Sequence, residues 1–292
     1  MATPLGAPDR LDVPATQRLI SHILAAGVQG LFILGSTGEG PSLSYRTRRE
    51  LIELTCRQVG TKVPVLVAIT DTSREESVAL ANFAAGHGAS GLVLAAPYYY
   101  PLSQDDLAGY VERLARDLPL PFFLYNMPSH TKVSFEPQTV RRLSDLPNLH
   151  GLKDSSGDLD YFRRVHAAVS SRPDFALLMG PEELLADAMR IGGHGGVCGG
   201  ANLYPQLYTK LYQAALSGDS AEIARLQDVV VRMGRGVYAA SYLCGLKYAL
   251  SLAGICSEAM AEPFQPLPMA DRESVRQTLL EIGLLPASLM AR

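Results

Sequence analysis

Seven short runs rich in Val, Ile, Leu and Phe punctuate the chain, beginning near residues 31, 64, 91, 121, 149, 175 and 196, with starts 21 to 33 residues apart. Between them, residues 44–58, 74–85, 105–116 and 182–191 repeat apolar positions at the helical period. Strand and helix alternating at a near-constant pitch predict stacked βαβ units, and runs that are apolar throughout predict strands buried on both faces. The expected fold is therefore α/β, a (β/α)8 TIM barrel. An eighth strand must precede the first predicted helix at 14–26, and only residues 1–5 are available for it, so the first strand is expected to be stunted or the native start to lie upstream. Beyond a last unit at 202–216 the pattern is purely helical, at 220–233, 237–252 and 270–282. This predicts a barrel over 1–218 that carries the active site and a small C-terminal helical appendage over 219–292.

Composition narrows the function classes. At 292 residues, 47% hydrophobic and 19% charged, the chain suits one large globular enzyme domain. A net charge of -3 with no basic cluster gives no footprint for nucleic acid or for an anionic membrane. No stretch approaches a membrane span, and the first residues carry neither a cationic start nor a signal-length apolar run. Cys56, Cys198, Cys244 and Cys256 are dispersed, without C-x-x-C or Cys/His pairing at ligand spacing. Reduced thiols, a cytoplasmic location and the absence of a metal site are the expectation.

Candidate chemistry begins with scarcity. Only five lysines occur, at 62, 132, 153, 210 and 247, and Lys153 alone closes a predicted buried strand. A lysine after a strand is ordinarily a surface residue; what changes that reading is its company at the ends of the other strands, where a barrel builds its site. After the second strand comes Gly35-Ser36-Thr37-Gly38-Glu39-Gly40, a glycine and hydroxyl turn suited to a carboxylate and lacking the Gly-Lys-Ser/Thr of a phosphate loop. The fourth strand ends in Tyr98-Tyr99-Tyr100, the fifth in Tyr125-Asn126-Met127-Pro128. A phenol near an imine-forming amine is a candidate proton carrier. The glycines around His194 and Cys198 lack dinucleotide-loop spacing and are expected to let backbone approach substrate.

Gly-Ser-Thr-Gly-Glu at 35–39, Tyr98-Tyr99, Tyr-Asn-Met-Pro at 125–128 and Gly-Leu-Lys-Asp-Ser-Ser-Gly-Asp at 151–158 together resemble the dihydrodipicolinate synthase and N-acetylneuraminate lyase family of Schiff-base aldolases, in order and spacing, over essentially the whole chain. The resemblance implies that Lys153 condenses with pyruvate or another 2-oxo acid, that Tyr125 moves protons, and that Thr37 links Tyr125 to Tyr99. It also implies that Tyr99 reaches in from a neighbouring subunit, so that the protein is a homo-oligomer, a dimer or a homotetrameric dimer of dimers. Ser36 and Thr37 would bind the pyruvyl carboxylate, an aldehyde would be the second substrate, and no cofactor is implied.

Departures from the family pattern bear on the aldehyde. His130 stands where the synthases carry an arginine for the aldehyde's carboxylate, and Lys132 where glycine is usual. Gly180, Glu182 and Glu183 resemble the stretch that holds sugar hydroxyls in the sialate lyases, with Glu182 in place of the common aspartate, and Gly199 replaces a serine of that set. Tyr45 and Arg48 stand where the lysine-inhibited synthases have histidines. The expectation is a catabolic aldolase or lyase acting on a 2-oxo-3-deoxy acid. Alternatives are dihydrodipicolinate synthase itself, a dehydratase of the same family, or a non-catalytic 2-oxo acid binder; intact Lys153, Tyr125, Thr37 and Tyr99 argue against the last.

Overall fold

A computed structural model describes residues 1–284; the end of the helical region expected at 219–292 lies outside the described residues. The chain opens with β1 (Leu5–Ala7) and β2 (Arg10–Leu11), then α1 (Val13–Leu24), β3 (Leu31–Ile33), α2 (Tyr45–Val59), β4 (Val65–Ala68), α3 (Arg74–Gly86) and β5 (Gly91–Ala95). It continues through α4 (Gln104–Ala115), β6 (Phe122–Asn126), α5 (Pro128–Thr131), α6 (Pro137–Leu143), β7 (Leu149–Asp154), α7 (Leu159–Ala168), β8 (Ala176–Met179), α8 (Leu185–Ile191) and β9 (Gly195–Gly196). Four helices follow: α9 (Pro205–Ser217), α10 (Ser220–Val237), α11 (Tyr242–Leu252) and α12 (Met269–Glu281).

These elements group into two compact units, one of residues 30–33 and 60–198, the other of 1–29, 34–59 and the described part of 199–292. The boundary expected after residue 218 falls inside the second of these. The first contains a seven-stranded sheet in the order β3-β4-β5-β6-β7-β8-β9, every neighbour parallel. Each strand falls on the apolar run predicted for it, with its ends shifted by at most two residues.

The eighth strand departs from expectation. Leu5–Ala7 joins no parallel sheet; it pairs antiparallel with Arg10–Leu11 as a hairpin. Pro4 has no N–H to give a ladder, and the chain turns back at Pro8-Asp9, where Asp9 takes φ +50°. The residues before the hairpin are nonetheless buried and tied down, Ala2 N–H donating to Asn202 Oδ1 at 2.7 Å and Thr3 Oγ1 to the Gly38 carbonyl at 2.6 Å.

Helix starts are set by capping. Asp12, Ser73, Ser103, Asp158 and Asp219 each accept a backbone N–H of the first turn. Ser241 does the same for Cys244, which is why the helix predicted at 237–252 begins at Tyr242 while α10 runs on to Val237.

The sheet is less uniform than its composition. On one face Leu31, Ile33, Val65, Val67, Leu92, Leu94, Phe122, Leu124, Leu152, Leu177 and Met179 are buried, as expected. On the other, Phe32, Leu66, Ala68, Phe123, Ala176 and Leu178 are half-buried around a buried centre of Val93, Ala95 and Tyr125. Alternation of side chains along a strand makes this a difference between faces, hidden in the sequence because both carry apolar residues. Lys153 stands on the half-buried face.

Candidate active site

Strands β6 and β7 pair with Tyr125 beside Lys153 and Asn126 beside Asp154. Because side chains alternate, Tyr125 and Lys153 project to one face and Asn126 and Asp154 to the other. The Lys153 side chain is inside: the residue is 9% exposed, and its Nζ lies 4.1 Å from the centre of the Tyr125 ring and 5.1 Å from that of Phe32. Those two rings meet edge to face at 6.3 Å. Val93, Ala95, Leu66, Phe123 and Met127 complete an apolar surround for Tyr125. Gly151, two residues before Lys153, is needed there, since a side chain would collide with the Phe123 ring and the Ala176 carbonyl. Lys153 makes no ion pair among the described residues; its neighbours are ring faces. An amine held this way beside a phenol has the parts for carbonyl addition and proton transfer.

The opposite face of the same two strands is a polar lock. Asn126 Nδ2 donates to Asp154 Oδ1 at 2.8 Å, Ser156 donates to both Asp154 oxygens from its N–H and hydroxyl at 3.0 and 2.9 Å, and Asn126 Oδ1 accepts the Phe135 N–H at 3.1 Å. Burial pushes the Asp154 carboxyl above its usual range, against these donors. Tyr161, whose hydroxyl donates to the Phe135 carbonyl at 2.6 Å, is also pushed up by burial, then by Asp154. The motif after Lys153 thus divides its labour: Asp154 locks the strands, Gly157 turns at φ +78°, and Asp158 caps α7.

Residues 35–40 belong to the other unit. They take part in two 3-10 turns, Ser36–Gly38 and Gly40–Ser42, the first preceded by Leu34 at φ +61° and the two separated by Glu39 at φ +56°. Left-handed backbone at two non-glycine residues is strained and must be held. Glu39 supplies the hold: its carboxylate meets Lys247 Nζ at 2.8 Å, both side chains being buried, and accepts the Ala261 N–H at 2.7 Å. A side chain at Gly40 would strike the Leu34 carbonyl. The amides of Gly38, Glu39 and Gly40 bond within the loop, so they are not donors to a carboxylate guest. Thr37 bonds through its hydroxyl, 3.2 Å from the hydroxyl of Tyr242.

The remaining candidates fall in varied settings. Tyr99 is 74% exposed, its ring edge to face with Tyr100. His130, in α5, has Nδ1 2.9 Å from the Ser129 hydroxyl, and burial followed by nearby Lys132 lowers its pKa. Lys132 is itself at φ +64° and donates to the Ser129 carbonyl at 3.1 Å. Glu182 is buried and Glu183 exposed. Both act electrostatically on Cys198, whose thiol is raised by burial first and by Glu182 next, Lys153 opposing. Cys198 is thereby close to Lys153, which its expected role as a dispersed structural thiol did not anticipate. Gly180 donates its N–H to the Asp154 carbonyl at 2.7 Å and has no space for a side chain against Ser155. At Gly199 a Cβ would collide with the Tyr242 hydroxyl, and at Gly200 with that of Tyr208. The space these glycines leave is filled by tyrosine hydroxyls. No metal-binding group of three His, Cys, Asp or Glu residues occurs among the described residues, and no described helix is long and apolar enough to cross a membrane.

Sequence reasoning missed Tyr242, the Glu39–Lys247 pair and the Asn126–Asp154 lock. Asn126 and Asp154 lay inside quoted motifs and could have been suspected from their flanking positions; Tyr242 had no local signal.

Known proteins resemble this chain over nearly its whole length. The model of the dihydrodipicolinate synthetase family matches residues 1–282. A 4-hydroxy-tetrahydrodipicolinate synthase of Rhodospirillum centenum is 33% identical over 275 residues, 94% of each chain. The solved dihydrodipicolinate synthase of Bacteroides thetaiotaomicron superposes with a TM-score of 0.93 at 48% identity, covering 96% of both chains. YagE, a prophage protein of the same family from E. coli K12 solved with pyruvate, gives 0.92 at 30% identity over 97% of both. The likeness carries the (β/α)8 barrel fold with additional C-terminal helices, and with it the nature of the chemistry. The chain belongs to the dihydrodipicolinate synthase and N-acetylneuraminate lyase family and is a class I, pyruvate-dependent aldolase or lyase.

Proposed function

We propose that this chain joins pyruvate to aspartate semialdehyde, as a 4-hydroxy-tetrahydrodipicolinate synthase. The observation that carries this reading is the full-length relationship to proteins of that name, 33% identity over 94% of both chains in the first case. It takes precedence over the 2-oxo-3-deoxy acid lyase expected from the departures in sequence.

In the proposed course, Lys153 Nζ adds to the ketone carbon of pyruvate, and loss of water leaves an iminium. The iminium nitrogen accepts the electrons of a C3–H bond as its proton departs, giving an enamine. The enamine carbon attacks the aldehyde, whose oxygen takes up a proton. Tyr125, beside Lys153 in register, moves these protons. Thr37 passes them on and Tyr99 of a second copy completes the relay, which makes a homo-oligomer the working form. The exposure of Tyr99 supports that assignment. Ser36 and Thr37 hold the pyruvyl carboxylate. Turnover in a coupled assay with pyruvate and aspartate semialdehyde is the expected result; none there, with pyruvate released from a 2-oxo-3-deoxy acid, overturns it.

One observation favours the lyase as second reading. The family resemblance gives the aldehyde's carboxylate to an arginine, and His130 stands in its place with a lowered pKa, so at neutral pH it offers a dipole and not a charge. In that case cleavage of the C3–C4 bond runs the same steps backwards, and Glu182, Glu183 and Gly180 border the longer substrate. For the synthase, His130→Arg lowers KM for aspartate semialdehyde; for the lyase it raises KM for the 2-oxo-3-deoxy acid. A dehydratase would release water from such an acid without pyruvate.

A further inference from the structure

Three segments far apart in sequence converge on one pair of hydroxyls. Thr37 Oγ1 lies 3.2 Å from the Tyr242 hydroxyl. Tyr242 is the first residue of α11, where Ser241 caps the helix by accepting the Cys244 N–H at 3.4 Å. Its ring is braced by that of Tyr238, centre to centre 4.7 Å at 62°. Facing the pair is Gly199, where a Cβ would strike the Tyr242 hydroxyl and come within 3.3 Å of Thr37 Oγ1. The chain therefore keeps residue 199 bare at the one place where the phenol meets the threonine.

A threonine hydroxyl rotates freely and carries one proton and two lone pairs. A fixed partner removes that freedom: whichever of the two oxygens donates, the remaining proton or lone pair of Thr37 is aimed in one direction. The Tyr242 oxygen is such a partner, because its ring is held by helix and neighbour and its C–O bond lies in the ring plane.

We propose that Tyr242 is a positioning residue that sets the direction of the Thr37 hydroxyl, and through it the relay assigned to Thr37 under the proposed function, on which this inference rests. Tyr242 acts through Thr37. Gly199 is its structural complement, the residue that admits the phenol.

The experiment compares wild type, Tyr242→Phe, Thr37→Val, the double variant and Gly199→Ala by steady-state kinetics and by borohydride trapping of pyruvate. In Tyr242→Phe, trapping on Lys153 and KM for pyruvate are retained while kcat falls about 10²-fold, the scale of a misplaced catalytic group. The double variant is no slower than Thr37→Val, because without the threonine hydroxyl there is nothing left to orient. Gly199→Ala, which displaces the phenol while keeping the ring, gives the same kcat-selective loss and serves if Tyr242→Phe does not fold. The inference is overturned if Tyr242→Phe keeps wild-type kcat, if KM rises with kcat unchanged, or if the two single effects multiply in the double variant. Failure of the wild type itself to trap pyruvate would instead sink the assignment of Lys153, a result read before any variant is compared.

Discussion

Two lysines are buried in this protein, and their surroundings could hardly differ more. Lys247, on α11, has two polar partners: Glu39 at 2.8 Å on one side and the Ala259 carbonyl accepting at 2.7 Å on another. Lys153, at the end of β7, touches the faces of Tyr125 and Phe32 and forms no ion pair among the described residues. Burying an amine is costly in both places. At Lys247 the cost is offset by a carboxylate and hydrogen bonds, and the gain is structural, since the same Glu39 holds a strained turn next to Thr37. At Lys153 no such partner offsets it, which leaves the nitrogen available to a carbonyl carbon. A buried amine without an ion pair is what the proposed catalytic role of Lys153 requires.

The comparison is broken most directly at Lys153. Lys153→Ala abolishes trapping of pyruvate and lowers turnover by about 10⁴-fold or more, while urea unfolding shows no loss of stability; trapping that persists would end the argument. At Lys247 the expected order is reversed. Lys247→Met strands the Glu39 carboxylate and lowers stability by about 3–5 kcal/mol in urea titration, with trapping on Lys153 retained in the folded protein. An unchanged unfolding midpoint would show that the pair does not hold the turn.

A smaller effect sharpens how Lys153 is placed. Asn126→Leu removes a donor to Asp154 and an acceptor for the Phe135 N–H, costing about 1–3 kcal/mol of stability, and kcat falls with it because the strand ends carrying Tyr125 and Lys153 loosen; stability lost with kcat intact would separate the lock from the site. The smallest effect is in pH. Burial raises the Asp154 carboxyl above its unfolded value, so its protonated form is favoured by folding. The contribution is fully present below the unfolded pKa and is lost as pH rises through the folded one. Wild type should therefore lose stability relative to Asp154→Asn as pH rises above the ordinary carboxylate range, and a flat difference in chemical denaturation would contradict the assignment.

Much of this was readable in one dimension. Apolar runs at a steady pitch gave the seven parallel strands, and the lysine near the end of the fifth of them stood out as the candidate nucleophile. Where the structure departs from the pattern, one cause is local and the other is distance along the chain. The missing eighth strand reflects Pro4 and the turn at Asp9, local features outweighed in the reading by the demand for eight runs. Gly199 lies in a glycine run expected to let backbone approach substrate, and what faces its bare Cα is the hydroxyl of a tyrosine 43 positions further on, which no local pattern announces.

The sequence by itself determined the strand pattern and the family and singled out Lys153 and Tyr125 as candidates, because periodicity and short motifs are properties of neighbouring residues. Tertiary structure alone decided which face of the sheet stays half-open, which lysine is paired, and which hydroxyl meets Thr37. Those depend on strand register and on contacts between segments some 200 residues apart, such as Thr37 with Tyr242 and Glu39 with Lys247, which no local pattern encodes.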